Sequence, residues 1–261
     1  MFKKGSKEIS SVSFGIFSAD EIINMSVCKV DSPKKVGYGT VYDPRMGTTN
    51  SGECCETCGE NANVCTGHFG HIELAKPVLN YHFIQTILKI MKCVCFKCSK
   101  LLIDKESEIC KLISKKPSKV RWSEVYNLCS KVKTCGQETV DGCGCKQPNK
   151  IKKENLATLI AEWDDIETQE GSDETSKISI KLTPEKVIKL FRRISDDNVS
   201  FMGFSPVWSR PEWMVCQTLA IPPPAVRPSV KHDSQQRSED DITHIIVNII
   251  KANKTLQEKI A

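Results

Sequence analysis

Cysteines gathered in tight clusters, apolar residues at helical spacing in several stretches, and short alternating runs between them predict an α+β fold. It should be irregular, with several helices and short strands stapled by zinc. The chain has 261 residues, room for one large domain or two smaller ones. Apolar residues make up 39% and charged residues 26%, the balance of a soluble globular protein. A net charge of +5 is compatible with a polyanionic partner and does not demand one. No apolar run of signal-peptide length follows the first residues, and no apolar stretch is long or uncharged enough to span a bilayer. The expectation is a soluble, intracellular protein with no membrane partner.

Residues 9–17 alternate, with Val12, Phe14 and Ile16 on one face, and read as a short strand. Ser18 and Glu21 form a capping box, which opens a helix running to about Val27. Gly, Pro, Asp and Thr make 31–53 a loop. Pro77 suits the first position of a helix, behind which Val78, Tyr81, Ile84, Ile87, Leu88 and Met91 recur at helical spacing. Residues 105–121 are basic and contain a short helix, 122–131 fit another, and 134–149 form a Gly- and Cys-rich loop. The acidic stretch 167–177 (ETQEGSDETSK) reads as a mobile surface loop. Thr183-Pro184-Glu185 starts a helix whose buried stripe is Val187, Ile188, Leu190, Phe191 and Ile194. Residues 213–219 read as a strand, and Pro222-Pro223-Pro224 must be extended. Ser238 with Asp241 opens a last helix, with Ile242, Ile245, Ile246, Ile249 and Ile250 along its apolar face. The expected division is a zinc-binding segment over 1–150 and a helix-and-strand segment over 151–261.

Eight of the fourteen cysteines fall into tight groups: Cys54, Cys55 and Cys58; Cys93, Cys95 and Cys98; Cys143 and Cys145. Such pairing in an intracellular chain points to metal, because a two-residue gap turns both thiolates toward one ion. Cys55-x2-Cys58-x6-Cys65-x2-His68 supplies three thiolates and an imidazole, which suits a closed tetrahedral zinc site. Cys54 competes with Cys55 and His71 with His68, and the spacing favours Cys55 and His68. The second site starts from Cys95-x2-Cys98, with Cys93 the weaker alternative to Cys95. Cys135 and Cys143 are its best partners, with Cys145 in reserve. Soft thiolates argue against magnesium and calcium, which prefer oxygen. Thioredoxin-type redox chemistry wants one CxxC after a strand in a βαβ unit, whereas these pairs sit in loops beside extra ligands. Cys28, Cys110, Cys129 and Cys216 stand alone and read as small buried hydrophobes.

The segments CETCGENANVCTGHFGHIELAKPV, VSFGIFSADEI, YDPRMGTTNSGEC, CVCFKCSKLLID, GFSPVWSRPEWMVCQTLAIPPPAVRPSV and SEDDITHIIVNIIKAN occur from about residue 10 to the last residues. In this order they resemble the N-terminal clamp region of the largest subunit of eukaryotic-type DNA-directed RNA polymerases. The resemblance implies a first zinc on Cys55, Cys58, Cys65 and His68, and a second on Cys95, Cys98, Cys135 and Cys143. The extra Cys54 and Cys145, and a Cys135–Cys143 loop shorter than in cellular polymerase II, depart from the family pattern. The family's active-centre motif NADFDGD does not occur in these 261 residues, nor do its bridge helix and trigger loop.

The chain is therefore expected to be a non-catalytic part of an enzyme. The resemblance implies a mobile jaw that holds DNA and the RNA–DNA hybrid, and partners that include the second-largest polymerase subunit, other polymerase subunits and the DNA template. It confines the catalytic Mg2+ to the part of the subunit that carries the aspartate motif. Asp164-Asp165 and Glu239-Asp240-Asp241 lack the look of a two-metal carboxylate cluster. Ten Lys or Arg against three acids between Lys89 and Arg121 nominate Lys115, Lys116, Lys119 and Arg121 for sequence-blind phosphate contacts, set against a plain solvated basic face. Arg227 reads as support for the clamp base or a neighbouring subunit. The competing reading is a stand-alone zinc-binding interaction or regulatory module derived from the clamp. The short loop and chain length fit a copy from a large DNA virus, which would act in a cytoplasmic factory or virion; a cellular subunit would be nuclear.

Overall fold

The computed structural model describes residues 10–34, 36–50, 52–155, 158–164, 177–232 and 236–260. Apart from Lys177, the acidic loop expected over 167–177 lies outside them, as does Ile9. In chain order the regular elements are α1 (Ala19–Met25), β1 (Cys28–Lys29), β2 (Gly70–Leu79), α2 (Ile84–Cys93), α3 (Glu108–Ser114), α4 (Ser118–Cys129), β3 (Lys150–Lys153), β4 (Leu159–Asp164) and β5 (Lys177–Leu182). They continue with α5 (Pro184–Phe191), α6 (Asp196–Met202), β6 (Val215–Ile221), β7 (Val230–His232), β8 (Gln236–Ser238) and α7 (Asp241–Ile260). This is the α+β mixture the sequence predicts.

Among the described residues three small sheets organise the helices. β1 runs parallel to β2, and β2 pairs antiparallel with β6, from Gly70 opposite Ile221 to Leu79 opposite Val215. β3, β4 and β5 form an antiparallel meander, and β7 and β8 a hairpin. The larger core collects α2 (Ile84, Ile87, Ile90, Met91), α5 (Val187, Ile188, Leu190, Phe191) and residues of α4, α6, β4 and β6. It therefore draws on both halves of the chain. A smaller core joins Val30, Val41, Met46, Ile72 and Ile221 to Ile246 and Ile250 of α7.

The capping box of α1 forms as read, with Glu21 N–H donating to Ser18 Oγ at 3.1 Å and Ser18 N–H to Glu21 Oε2 at 2.8 Å. The helix ends at Met25, short of Val27. α5 starts on Pro184, as proline at the first helical position allows. Elsewhere the sequence reading needs correction. Residues 10–17 form no strand; Ile16 N–H donates to Trp208 O at 2.7 Å, and Val12, Phe14 and Phe17 stay exposed. Pro77 starts no helix. It lies in β2, within the stretch between Glu73 and Val78 where the register to β6 shifts. Proline has no N–H to give a ladder, and a bulge is where a strand tolerates it.

Trp213 belongs to a 3-10 turn and β6 begins at Val215. Pro223 is extended, but Pro224 starts another 3-10 turn. Asp240 caps α7, its carboxylate accepting from Ile242 N–H at 2.8 Å; Ser238 ends β8. The buried stripe of α7 is Thr243, Ile246 and Ile250, with Ile242 and Ile245 exposed.

Candidate metal centres

The same turn is built twice. In the first, Cys55 N–H donates to Glu60 O at 2.9 Å and Gly59 N–H to Cys55 O at 2.8 Å. In the second, Cys95 N–H donates to Lys100 O and Ser99 N–H to Cys95 O, both at 2.9 Å. The fifth residue of each turn has positive φ, +73° at Gly59 and +60° at Ser99. This turn leaves both cysteines of each CxxC on one side of the chain.

Around the first turn, Cys55, Cys58, Cys65 and His68 place one donor atom each within 4.8 Å of one another. Cys65 Sγ lies 3.7 Å from His68 Nε2 and accepts from Gly67 N–H at 3.4 Å. Gly67 has φ +82°, and a Cβ there would lie 2.6 Å from Pro223 Cγ. No other residue fits. His68 N–H donates to Met46 O at 3.0 Å, which hangs the loop from the smaller core.

Around the second turn, Cys95, Cys98, Cys135 and Cys143 meet within the same 4.8 Å. Cys95 and Cys143 sulfurs are 3.5 Å apart, and those of Cys98 and Cys135 3.7 Å. Cys135 and Cys143 come from a tight ribbon: Cys135 N–H donates to Cys145 O at 2.9 Å and Gly144 N–H to Cys135 O at 3.0 Å. Its two limbs nearly touch, because a Cβ on Gly142 would fall 2.0 Å from Gly136 Cα.

The donors fit a tetrahedral zinc. Zinc–sulfur bonds of about 2.3 Å put the sulfurs of a tetrahedron roughly 3.8 Å apart. The spacings of 3.5 and 3.7 Å match that edge. All fourteen cysteines are free thiols, so no disulfide accounts for the clusters. The electrostatics agree. Burial works to raise the Cys95 pKa, but N–H groups of Cys98 and Lys97 and the neighbouring thiols outweigh it, bringing it to about 7. Burial, with the Cys98 and Cys95 thiols beside it, pushes Cys135 up to about 12. Cys65 is pushed up to about 11 by burial and by the Cys58 and Cys55 thiols. Without a cation these sites resist holding more than one thiolate; a divalent ion removes that resistance.

The competing ligands fall elsewhere. His71 is on β2, its Nδ1 2.7 Å from Ser26 Oγ. Cys54 is exposed and bridges to Asn61. Cys93 is buried at the end of α2 beside Cys129. The Cys145 thiol donates to Lys146 O at 3.5 Å and lies beside Cys95 without joining the four-sulfur group. Of the basic residues, Lys116 is paired with Glu124 at 2.6 Å, and Arg121 donates to Ser114 O at 2.9 Å. Lys115 and Lys119 remain exposed. Arg227 is fully buried, donating to Pro222 O at 3.0 Å, Thr243 Oγ1 at 3.2 Å and Val41 O, with Tyr42 under its guanidinium. The sequence reading passed over Gln147, which contacts Cys95, and Asn253, which contacts β2. Neither carries a spacing signal.

The family model for RNA polymerase Rpb1, domain 1, matches residues 6–261. The chain belongs to that family. Similarity to a curated relative agrees: the chain is 38% identical over 267 residues to the DNA-directed RNA polymerase II subunit RPB1 of Euplotoides octocarinatus. The alignment takes in 98% of this chain and 55% of that relative, so the chain spans about half the relative's length. The resemblance to the N-terminal region of a polymerase largest subunit therefore holds along this whole Rpb1 domain 1 chain.

Proposed function

We propose that this chain is the zinc-bearing clamp portion of the largest subunit of a DNA-dependent RNA polymerase, helping to hold DNA and the RNA–DNA hybrid during transcription. The observation that carries the reading is the meeting of two complete four-donor sets on a chain that matches Rpb1 domain 1 from end to end. Cys55, Cys58, Cys65 and His68 hold one zinc, and Cys95, Cys98, Cys135 and Cys143 the other. Bound in a closed four-donor site, zinc supplies cross-linking and no reaction chemistry.

In this reading residues 1–150 carry both centres and 151–261 form the base from which they project. The first loop has a mostly exposed surface and little oil of its own, so its ligands substitute for burial. A lobe made rigid in this way moves as a body. Nucleotide joining and its Mg2+ belong to the remainder of the subunit. The partners are the second-largest subunit, the other polymerase subunits and the nucleic acid, with Lys115 and Lys119 free to meet phosphates and Lys116 and Arg121 already engaged within the chain. No helix among the described residues is long and apolar enough to cross a membrane.

The test is isolation of the tagged protein from its source, with metal analysis under reducing conditions and identification of what co-purifies. About two zinc ions per chain and a second large polymerase subunit are expected. A folded, reduced protein with no transition metal would sink the metal reading. Two zinc ions with no polymerase partner would leave a stand-alone zinc module.

A further inference from the structure

Gln147 has 7% of its surface exposed, and its side-chain amide is used entirely at the second centre. Its Oε1 accepts from Phe96 N–H at 3.2 Å. Its Nε2 donates to Cys145 O at 2.8 Å and to Cys95 Sγ at 3.4 Å. Its backbone N–H donates to Lys133 O at 2.7 Å. One amide thus ties the Cys95 turn to the Cys143–Cys145 ribbon and lends an N–H to a metal-facing sulfur. Among the described residues no side chain outside the four plays that part at the first centre, where Cys65 Sγ takes its N–H from the Gly67 backbone.

An N–H aimed at a thiolate favours the charged form and fixes its rotamer. Partners of this kind around a metal ligand set affinity as well as orientation. Gln147 also fixes which thiol is presented. By holding the Cys145 carbonyl it leaves the Cys145 thiol donating to Lys146 O, beside Cys95 but outside the four-sulfur group, while Cys143 joins that group 3.5 Å from Cys95.

We propose that Gln147 is the positioning residue of the second zinc centre, holding the Cys95 thiolate through its side-chain N–H and so setting how slowly that one ion exchanges. The proposal rests on the zinc reading above.

The test uses the full chain and two variants. Gln147→Met keeps the length and loses the hydrogen bonds of the side-chain amide. Gln147→Glu keeps the acceptor for Phe96 N–H and loses the donor. Zinc release to excess chromogenic chelator is followed in each, and the cobalt-substituted proteins are compared by absorption. In both variants one of the two ions should leave roughly 10–100-fold faster, with the other unchanged. The sulfur-to-cobalt charge-transfer band should move to longer wavelength. Wild-type release rates for both ions, or a Gln147→Glu protein that matches wild type, would overturn the proposal. Loss of both ions together with the fold would make Gln147 a core residue only, and overturn it too. A wild-type protein without zinc would instead remove the reading on which the proposal stands.

Discussion

Asp43 has no exposed surface, yet its carboxylate is saturated: Gly39 N–H at 2.7 Å, Arg45 N–H at 3.0 Å, and both limbs of the Arg45 guanidinium at 2.9 and 2.7 Å. Burial works to raise its pKa, but the Arg45 guanidinium and the two N–H groups outweigh it, and it lies below the ordinary carboxylate range. A depressed folded pKa contributes stability that is present above the unfolded value and lost as pH falls through the folded one. Asp43→Asn should therefore cost about 2 kcal/mol at neutral pH, and the gap to wild type should close below about pH 4. Urea unfolding across that range reads this directly, and a gap that persists at low pH would contradict it. Gly67 is the second residue-scale case. Gly67→Ala meets both a left-handed backbone and the Pro223 ring, so it should cost more than about 1 kcal/mol and release the first zinc. Metal analysis and thermal unfolding check both effects. The glycines around His68 are visible in the sequence, whereas the proline that forbids a side chain there arrives from 156 residues away, across a contact that spacing does not encode.

At the scale of elements, β2 shows where pattern reading stops. Val78, Tyr81, Ile84, Ile87, Leu88 and Met91 keep a helical period, but the α-helix begins only at Ile84, after a 3-10 turn over Tyr81–Phe83. Pairing of β2 with β6 overrides the local pattern, and Pro77 falls in the interval where no ladder N–H is required. The unpaired backbone there is met by Asn253 of α7, which accepts from Ala75 N–H at 2.8 Å and donates to Glu73 O at 2.9 Å. Asn253→Leu should lower the urea midpoint by an amount worth about 1 kcal/mol with an unchanged slope. A change in slope would show instead that α7 has left the sheet. α1 and α5, by contrast, were legible because capping boxes and helix-start prolines are short-range chemistry. The first four-donor group and the Cys95–Cys98 pair of the second were legible for the same reason. The sequence ranks Cys143 above Cys145 and the four-sulfur group takes in Cys143, but the ribbon that brings it there, with limbs almost touching at Gly136 and Gly142, carries no spacing signal.

For the whole molecule the two centres stand in different relation to the cores. Cys95 and Cys135 are members of the larger core, at 0% and 1% exposure, whereas the first centre hangs on a loop whose residues are largely exposed. Under the zinc reading, loss of the second ion should strip support from the packing that α2, α4 and α5 share, and loss of the first should loosen a loop beside the smaller core. Cys58→Ser and Cys98→Ser should each reduce zinc from about two ions per chain to about one, the full ligand set being needed for a closed site. Their stability effects should diverge. Cys98→Ser should lower the main thermal transition by on the order of 10 °C, because a cost of several kcal/mol falls on the cooperative unit. Cys58→Ser should shift that transition little and instead speed amide hydrogen exchange around residues 53–68, as local opening does. Equal drops in the main transition for the two variants would mean that the first loop is part of the same cooperative unit, and a lobe that moves as a separate rigid body would then have no place in the mechanism.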